Sequence, residues 1–314
     1  MKPVKVGVIG CGNISDTYFS TARKFEILDI VACSDLIRER ADAKADKFNL
    51  NACDNEGLLA DPEIEAVLNI TSPDAHFEVA MQAIQAGKNV YNEKPLAAAT
   101  EEGRWILEAA DAGNLLVGGA PDTFMGAGIQ TCRKLIDDGE IGEPVAANAF
   151  MMHHGHEGWH PDPEFFYKAG AGPMFDMGPY YVTALIALLG PVRRVASSAR
   201  VSFPERTITS EPKRGAKIKV EVPTHIAGIM NFAGGAVGTI ITSFDVWGSE
   251  TPYIEIYGSE GTLSVPDPNC FGGPVRILRA GGEWEEVPLT HGYAEESRSI
   301  GLADMAYALR TGRP

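Results

Sequence analysis

Short apolar runs alternate with amphipathic stretches through the first third of the chain, and that alternation predicts repeated βαβ units. Strands are expected at 4–9, 28–33, 66–70, 90–91 and 115–117, with helices at 13–24, 38–48, 75–86 and 100–112. In the helix at 38–48, Ala41, Ala45 and Phe48 fall on one face, the spacing of an amphipathic helix. After Pro121 the pattern changes. A helix at 125–138 is followed by extended runs at 145–151, 192–201, 218–222, 225–232, 236–244, 253–257 and 262–265, with helices at 179–189 and 303–309. Phe232-Ala-Gly-Gly-Ala236 and Tyr257-Gly-Ser-Glu-Gly261 read as turns between paired strands. The expected fold is an α/β Rossmann domain with a doubly wound parallel sheet over 1–122, then an α+β domain over 123–314 with a large, mostly antiparallel sheet. The second domain is assigned to substrate binding and oligomerisation.

A chain of 314 residues suits two domains of ordinary size. Hydrophobic residues at 45% and charged residues at 22% are typical of a globular protein. The net charge of −15 argues against a nucleic-acid partner, whose footprint is basic. Five scattered cysteines without a Cys-x-x-Cys pair suggest neither a zinc site nor a disulfide framework. That usage fits a reducing, cytoplasmic compartment. Neither a signal peptide nor the roughly 18 apolar residues of a membrane span is expected. The ending Arg310-Thr-Gly-Arg-Pro314 reads as a lead into a further element, so a C-terminal helix is expected beyond it.

Gly10-Cys-Gly12-Asn13-Ile14-Ser15 lies between the first strand and the first helix, where a phosphate loop belongs. Gly10 permits the tight turn and Gly12 the close approach of a pyrophosphate to the helix start, while Ser15 replaces the usual third Gly or Ala. Asp35 follows at the end of the second strand, 20 residues beyond Ser15, where a carboxylate accepts from adenosine ribose hydroxyls. A carboxylate there favours NAD, and Arg38 nearby keeps NADP open. Asp35 also reads as a helix cap.

Ile70-Thr71-Ser72-Pro73-Asp-Ala-His76 and Gly87-Lys-Asn-Val-Tyr-Asn-Glu93-Lys94-Pro95, together with the opening glycines, strongly resemble the glucose–fructose oxidoreductase and inositol dehydrogenase family (Gfo/Idh/MocA). Gly172-Pro-Met-Phe-Asp176 and Tyr257-Gly-Ser-Glu-Gly261-Thr resemble its second domain. The resemblance spans essentially the whole chain. It implies NAD(P)-dependent hydride transfer on a sugar-, cyclitol- or sugar-acid-type secondary alcohol. It also implies that Thr71, Ser72 and Pro73 line the nicotinamide half, with His76, Glu93 and Lys94 adjoining the cofactor, and that Lys94 precedes a cis Pro95. Lys94 is the first catalytic candidate: beside oxidised nicotinamide the like charge pushes it toward neutrality, so that it hydrogen-bonds the reacting hydroxyl and relays its proton. Relatives carry an Asp and, one helical turn later, a His as partners of this lysine. Asp176 matches the first, but Tyr180 stands in the histidine's place.

Two replacements for that histidine are therefore open: Tyr180 itself, or His160. Asp176, read first as an active-site residue, also reads as the cap of the helix at 179–189. His153-His-Gly-His156-Glu-Gly-Trp159-His160 holds four of the seven histidines. Gly155 and Gly158 make it a loop, read as substrate-facing instead of metal-binding, with Trp159 stacking on a sugar ring and His160 binding a hydroxyl. Asp122 is a further candidate for a substrate hydroxyl, or a helix cap. Two other functions remain compatible: an NAD-dependent glycosidase using transient oxidation and elimination, and a non-catalytic NAD-binding regulator. The apolar strands at 226–232 and 237–241 suggest a homodimer or homotetramer interface.

Overall fold

A computed structural model describes residues 1–313 as two compact units, one of 1–122 with 297–313 and one of 123–296. The first is built on β1 (Val4–Ile9), α1 (Ser15–Ala22), β2 (Leu28–Ser34), α2 (Arg38–Phe48), β3 (Asn51–Ala52) and α3 (Asn55–Ala60). It continues with β4 (Ala66–Asn69), α4 (His76–Gln85), β5 (Asn89–Asn92), α5 (Thr100–Ala112) and β6 (Val117–Gly119). All six strands are parallel, in the order β3-β2-β1-β4-β5-β6. β1, β4 and β5 are buried nearly throughout because helices cover both faces, which is why β1 and β4 read as apolar-rich runs without alternation. The strand order reverses beside β1, so the loops after β1, β4 and β5 open at the topological switch point.

The second unit contains α6 (Ala127–Asp137), β7 (Pro144–Met152), α7 (Gly172–Asp176), α8 (Gly178–Leu189) and β8 (Val192–Arg200). Then come β9 (Glu205–Thr207), β10 (Lys217–Lys219), β11 (His225–Phe232), β12 (Val237–Ser243), β13 (Ile254–Gly258) and β14 (Gly261–Val265), followed by β15 (Val275–Arg279) and β16 (Trp284–Val287). Eight strands form one sheet, β16-β15-β14-β13-β7-β12-β11-β8, in which only β7 and β12 run parallel; β9 and β10 form a separate hairpin. Ile129, Cys132 and Ile136 of α6 and Tyr181, Leu185 and Leu188 of α8 pack on Ala149, Ile240, Ile256 and Leu263 of the large sheet. On its other face Ile229 and Val237 remain about half exposed.

The terminal helix α9 (Ile300–Thr311) packs with the first unit, whereas the sequence grouped 123–314 as one domain. Two contacts fix it there. Arg310 forks onto Glu65 at 2.8 and 2.7 Å and also donates to the Lys2 and Pro3 carbonyls. Asp122 accepts from the amides of Ser299 and Gly301, both at 3.1 Å, at the helix start. No helix among the described residues is long and apolar enough to cross a membrane.

Candidate functional site

The first unit presents an open phosphate loop. Gly10 sits at φ +107°, and a Cβ there would lie 2.6 Å from the Ile70 carbonyl oxygen, so the turn requires glycine. The amides of Gly12, Asn13 and Ile14 find no acceptor among the described residues, and α1 has no side-chain cap. A helix start with open N–H groups is an anion site. Ser15, the departure from the usual fingerprint, turns its hydroxyl back onto the Gly12 carbonyl at 2.6 Å.

Asp35 stands just past β2. Its two carboxylate oxygens accept from the Cys11 and Ile37 amides, each at 2.8 Å. This joins the phosphate loop to the ribose position and leaves lone pairs for hydroxyl donors. Arg38 points its guanidinium at Asp42 (2.8 Å) and the Ala52 carbonyl (3.2 Å).

Thr71, Ser72 and Pro73 form the turn after β4, where the Thr71 hydroxyl donates to Asn69 at 2.7 Å. Asn69 in turn donates to Asn92 of β5 at 3.0 Å. His76, expected beside the cofactor, is instead enclosed at 1% exposure. Its Nδ1 faces the Pro95 carbonyl at 2.6 Å and its Nε2 the Thr71 carbonyl at 3.1 Å, so it ties the two loops together. Glu93 is likewise enclosed, accepting from Tyr18 Oη at 2.8 Å and from the Lys94 amide at 2.7 Å. Burial and the Glu93 charge hold the Tyr18 phenol well above its ordinary range. Both residues shape the loop instead of lining it. Lys94 is half-buried at the turn after β5, and its bond to Pro95 is cis.

Asp122 is corrected as well. At 2% exposure, with its carboxylate on the Ser299 and Gly301 amides, it caps α9 and is not placed to hold a substrate hydroxyl. Burial raises its pKa to about 6, helped by Glu93 and opposed by the Gly301 amide and Arg298.

In the second unit Asp176, the last residue of α7, meets His156, a histidine outside the two replacements considered from the sequence. Nε2 of His156 lies 3.1 Å from Asp176 Oδ2, with both side chains nearly enclosed. The His156 ring stacks on Phe166 at 3.7 Å and 16° and meets Phe244 edge-on at 4.9 Å. Its Nδ1 is buried and has no hydrogen-bond partner among the described residues. Tyr180 is part of the unit's core. His160 accepts the Asp162 amide on Nδ1 at 3.0 Å, and burial beside His156 lowers its pKa. Trp159 is 65% exposed, with its ring 5.3 Å from those of both His156 and His160. His153 packs against the same group, and burial with the neighbouring His156 lowers its pKa to about 4.

His156, the histidine beside Asp176, is not singled out by the sequence. The signal was its membership in the histidine-rich loop. Nothing local separated it from His153, His154 or His160.

Comparison with known proteins identifies a family for both parts of the chain. Residues 4–118 match the oxidoreductase family with an NAD-binding Rossmann fold, GFO/IDH/MocA, and residues 129–264 match the GFO/IDH/MocA C-terminal domain. An inositol 2-dehydrogenase of Pseudomonas savastanoi pv. phaseolicola is 31% identical over 240 residues, 70% of this chain and 67% of that protein. A levoglucosan dehydrogenase of Pseudarthrobacter phenanthrenivorans is 25% identical over 291 residues, 84% of this chain and 73% of that protein. Among solved structures, levoglucosan dehydrogenase in complex with NADH and L-sorbose superposes with a TM-score of 0.84 at 23% identity, covering 98% of this chain and 90% of that one.

Proposed function

This chain belongs to the Gfo/Idh/MocA family of NAD-binding oxidoreductases, and from that premise we propose that it oxidises a secondary alcohol on a sugar, sugar acid or cyclitol. The observation that carries the reading is the buried His156–Asp176 pair, whose remaining ring nitrogen has no partner among the described residues.

The residues present fit a dinucleotide. Gly12, Asn13 and Ile14 offer amides to the pyrophosphate, and Asp35 accepts from the ribose hydroxyls. Leu36, 98% exposed, and Ile37 beside it offer apolar surface to the adenine. Thr71, Ser72, Pro73 and Lys94 serve the nicotinamide end. Bound NAD⁺ supplies the acceptor for the hydride that leaves the carbinol carbon.

The protein's own part is the proton. Asp176 accepts the His156 Nε2–H, which fixes the tautomer with a lone pair on Nδ1. Nδ1 then takes the hydroxyl proton, and the Asp176 carboxylate stabilises the imidazolium that forms. Lys94 donates to the substrate oxygen. His160, whose Nδ1 is already an acceptor, carries its ring proton on Nε2 and offers it to a second hydroxyl. Trp159 gives a face for the ring to stack on. Arg38 is already engaged and Asp35 repels a 2′-phosphate, which supports NAD over NADP. The scattered spacing of the five cysteines, without a Cys-x-x-Cys pair, supports a cytoplasmic setting.

The test is NADH formation from myo-inositol, levoglucosan and sugar acids by the parent, Lys94→Met and His156→Gln. Both substitutions are expected to lower kcat by roughly 10²–10⁴-fold while calorimetric NAD binding persists. Parental turnover by His156→Gln would refute its role. Bound NAD without NADH from any substrate would favour the glycosidase or the regulator.

The half-exposed sheet face around Ile229 and Val237 supports a homo-oligomer. Light scattering should find an assembly that Ile229→Lys disperses, and a monomeric parent would refute it.

A further inference from the structure

The loop that carries His156 is held by a second structure, the β9–β10 hairpin, through an ion pair that takes no part in proton transfer. Glu157 and Arg206 are each 6% exposed and meet at 2.7 Å. The Glu157 carbonyl accepts the amides of Thr209 and Ser210 at 2.8 and 3.0 Å, and the Ser210 hydroxyl donates to the His160 carbonyl at 2.5 Å. The Glu221 amide donates to the Tyr167 carbonyl at 2.9 Å, and Lys213 pairs with Asp162 and Glu164. The hairpin is thus laced to the loop along its length.

Arg206 reaches both walls of the His156 ring. It donates to the carbonyl of Phe244, the edge-on wall, at 2.8 Å, and to Asp245 at 3.3 Å. Through Glu157 it reaches Tyr167, whose hydroxyl donates to that carboxylate and accepts the His156 amide at 3.3 Å. Tyr167 adjoins Phe166, the stacked wall. A buried ion pair is weak evidence for stability, since desolvation offsets much of the attraction. A fork that fixes direction is what a guanidinium adds over an apolar side chain.

We propose that Glu157 and Arg206 are a positioning pair, which with Tyr167 clamps the His156 ring between Phe166 and Phe244 so that Nε2 stays on Asp176. The proposal rests on His156 being the proton acceptor argued above. The base and its carboxylate come from separate segments, and the hairpin sets their register.

The experiment uses the full chain labelled with ¹³C-histidine and loaded with NAD, and the His156 ring resonance is assigned by its loss in His156→Gln. In the parent one sharp resonance is expected. In Glu157→Gln and Arg206→Met it should move and broaden, and Arg206→Lys should restore it in part. On a substrate found above, kcat should fall roughly tenfold to a hundredfold with KM nearly unchanged, as for a misplaced base. Should Arg206→Met fail to fold, Tyr167→Phe removes only the hydroxyl between Glu157 and the His156 amide and should show the same shift. A parental His156 resonance in Tyr167→Phe and Glu157→Gln would overturn the proposal, whatever happens to Tm. Unchanged turnover in His156→Gln would overturn the proton-acceptor reading itself, whereas its loss beside normal Glu157→Gln would overturn only the positioning.

Discussion

Asp122→Asn separates a helix cap from a substrate ligand. The carboxyl has an ordinary pKa of 3.8, raised in the fold to about 6 chiefly by burial. The folded state therefore holds the proton more tightly than the unfolded chain. Its stabilising contribution is complete below pH 3.8 and is lost as pH rises through 6. A shift of about two units corresponds to about 3 kcal/mol at 1.36 kcal/mol per unit. At 2% exposure, solvent screening does little to reduce this. Both capped amides, of Ser299 and Gly301, bind the same oxygen, so the amide oxygen of Asn can serve them without the charge. The variant should thus gain on the parent by about 3 kcal/mol between pH 4 and pH 8. At roughly 2–4 °C per kcal/mol, that is about 6–12 °C in relative Tm. Calorimetry of both proteins across pH reads it directly, with KM expected to stay put. Parallel pH profiles together with a raised KM would refute the cap and return Asp122 to the substrate.

Three further outcomes are expected. Gly10→Ala forces a Cβ to 2.6 Å from the Ile70 carbonyl oxygen at φ +107°, a strain of about 1–3 kcal/mol, and should weaken NAD binding about tenfold or more; an unchanged calorimetric Kd would count against the loop. Asp35→Ala should lower kcat/KM for NAD and narrow its margin over NADP, and an unchanged ratio would show that the carboxylate does not read the ribose. His153, with its pKa lowered from 6.5 to about 4, should stay neutral in ¹³C-histidine spectra at pH 6, and its contribution to stability should be lost as pH falls from 6.5 through 4; titration near 6.5 would refute its burial.

The glycine loop, Asp35 and the parallel strands were legible because each is a local property. Gly10 answers to its own φ, and Asp35 to its distance from the loop along two adjacent strands. The buried strands β1 and β4 announced themselves as apolar-rich runs. Where burial was partial or elements short, the signal failed: β3 and α3 went unread, as did β15 and the edge strand β16, where Glu and Arg sit among the apolar positions.

The residues proposed to handle the proton belong to the other kind. The resemblance pointed to Asp176, but one turn of helix later the chain offers Tyr180, and local spacing then suggested Tyr180 or His160. His156 lies 20 positions before its partner. It meets Asp176 through a loop whose path depends on contacts to a hairpin some 50 residues further on, such as Ser210 with His160. Asp122 and the start of α9 are separated by 177 positions. Backbone conformation and periodic burial are written in neighbouring residues, so the sequence alone determined the dinucleotide loop and the two kinds of sheet. Which histidine faces which carboxylate, and which buried acid caps which helix, depends on segments far apart in the chain being packed together, and only the tertiary structure decided it.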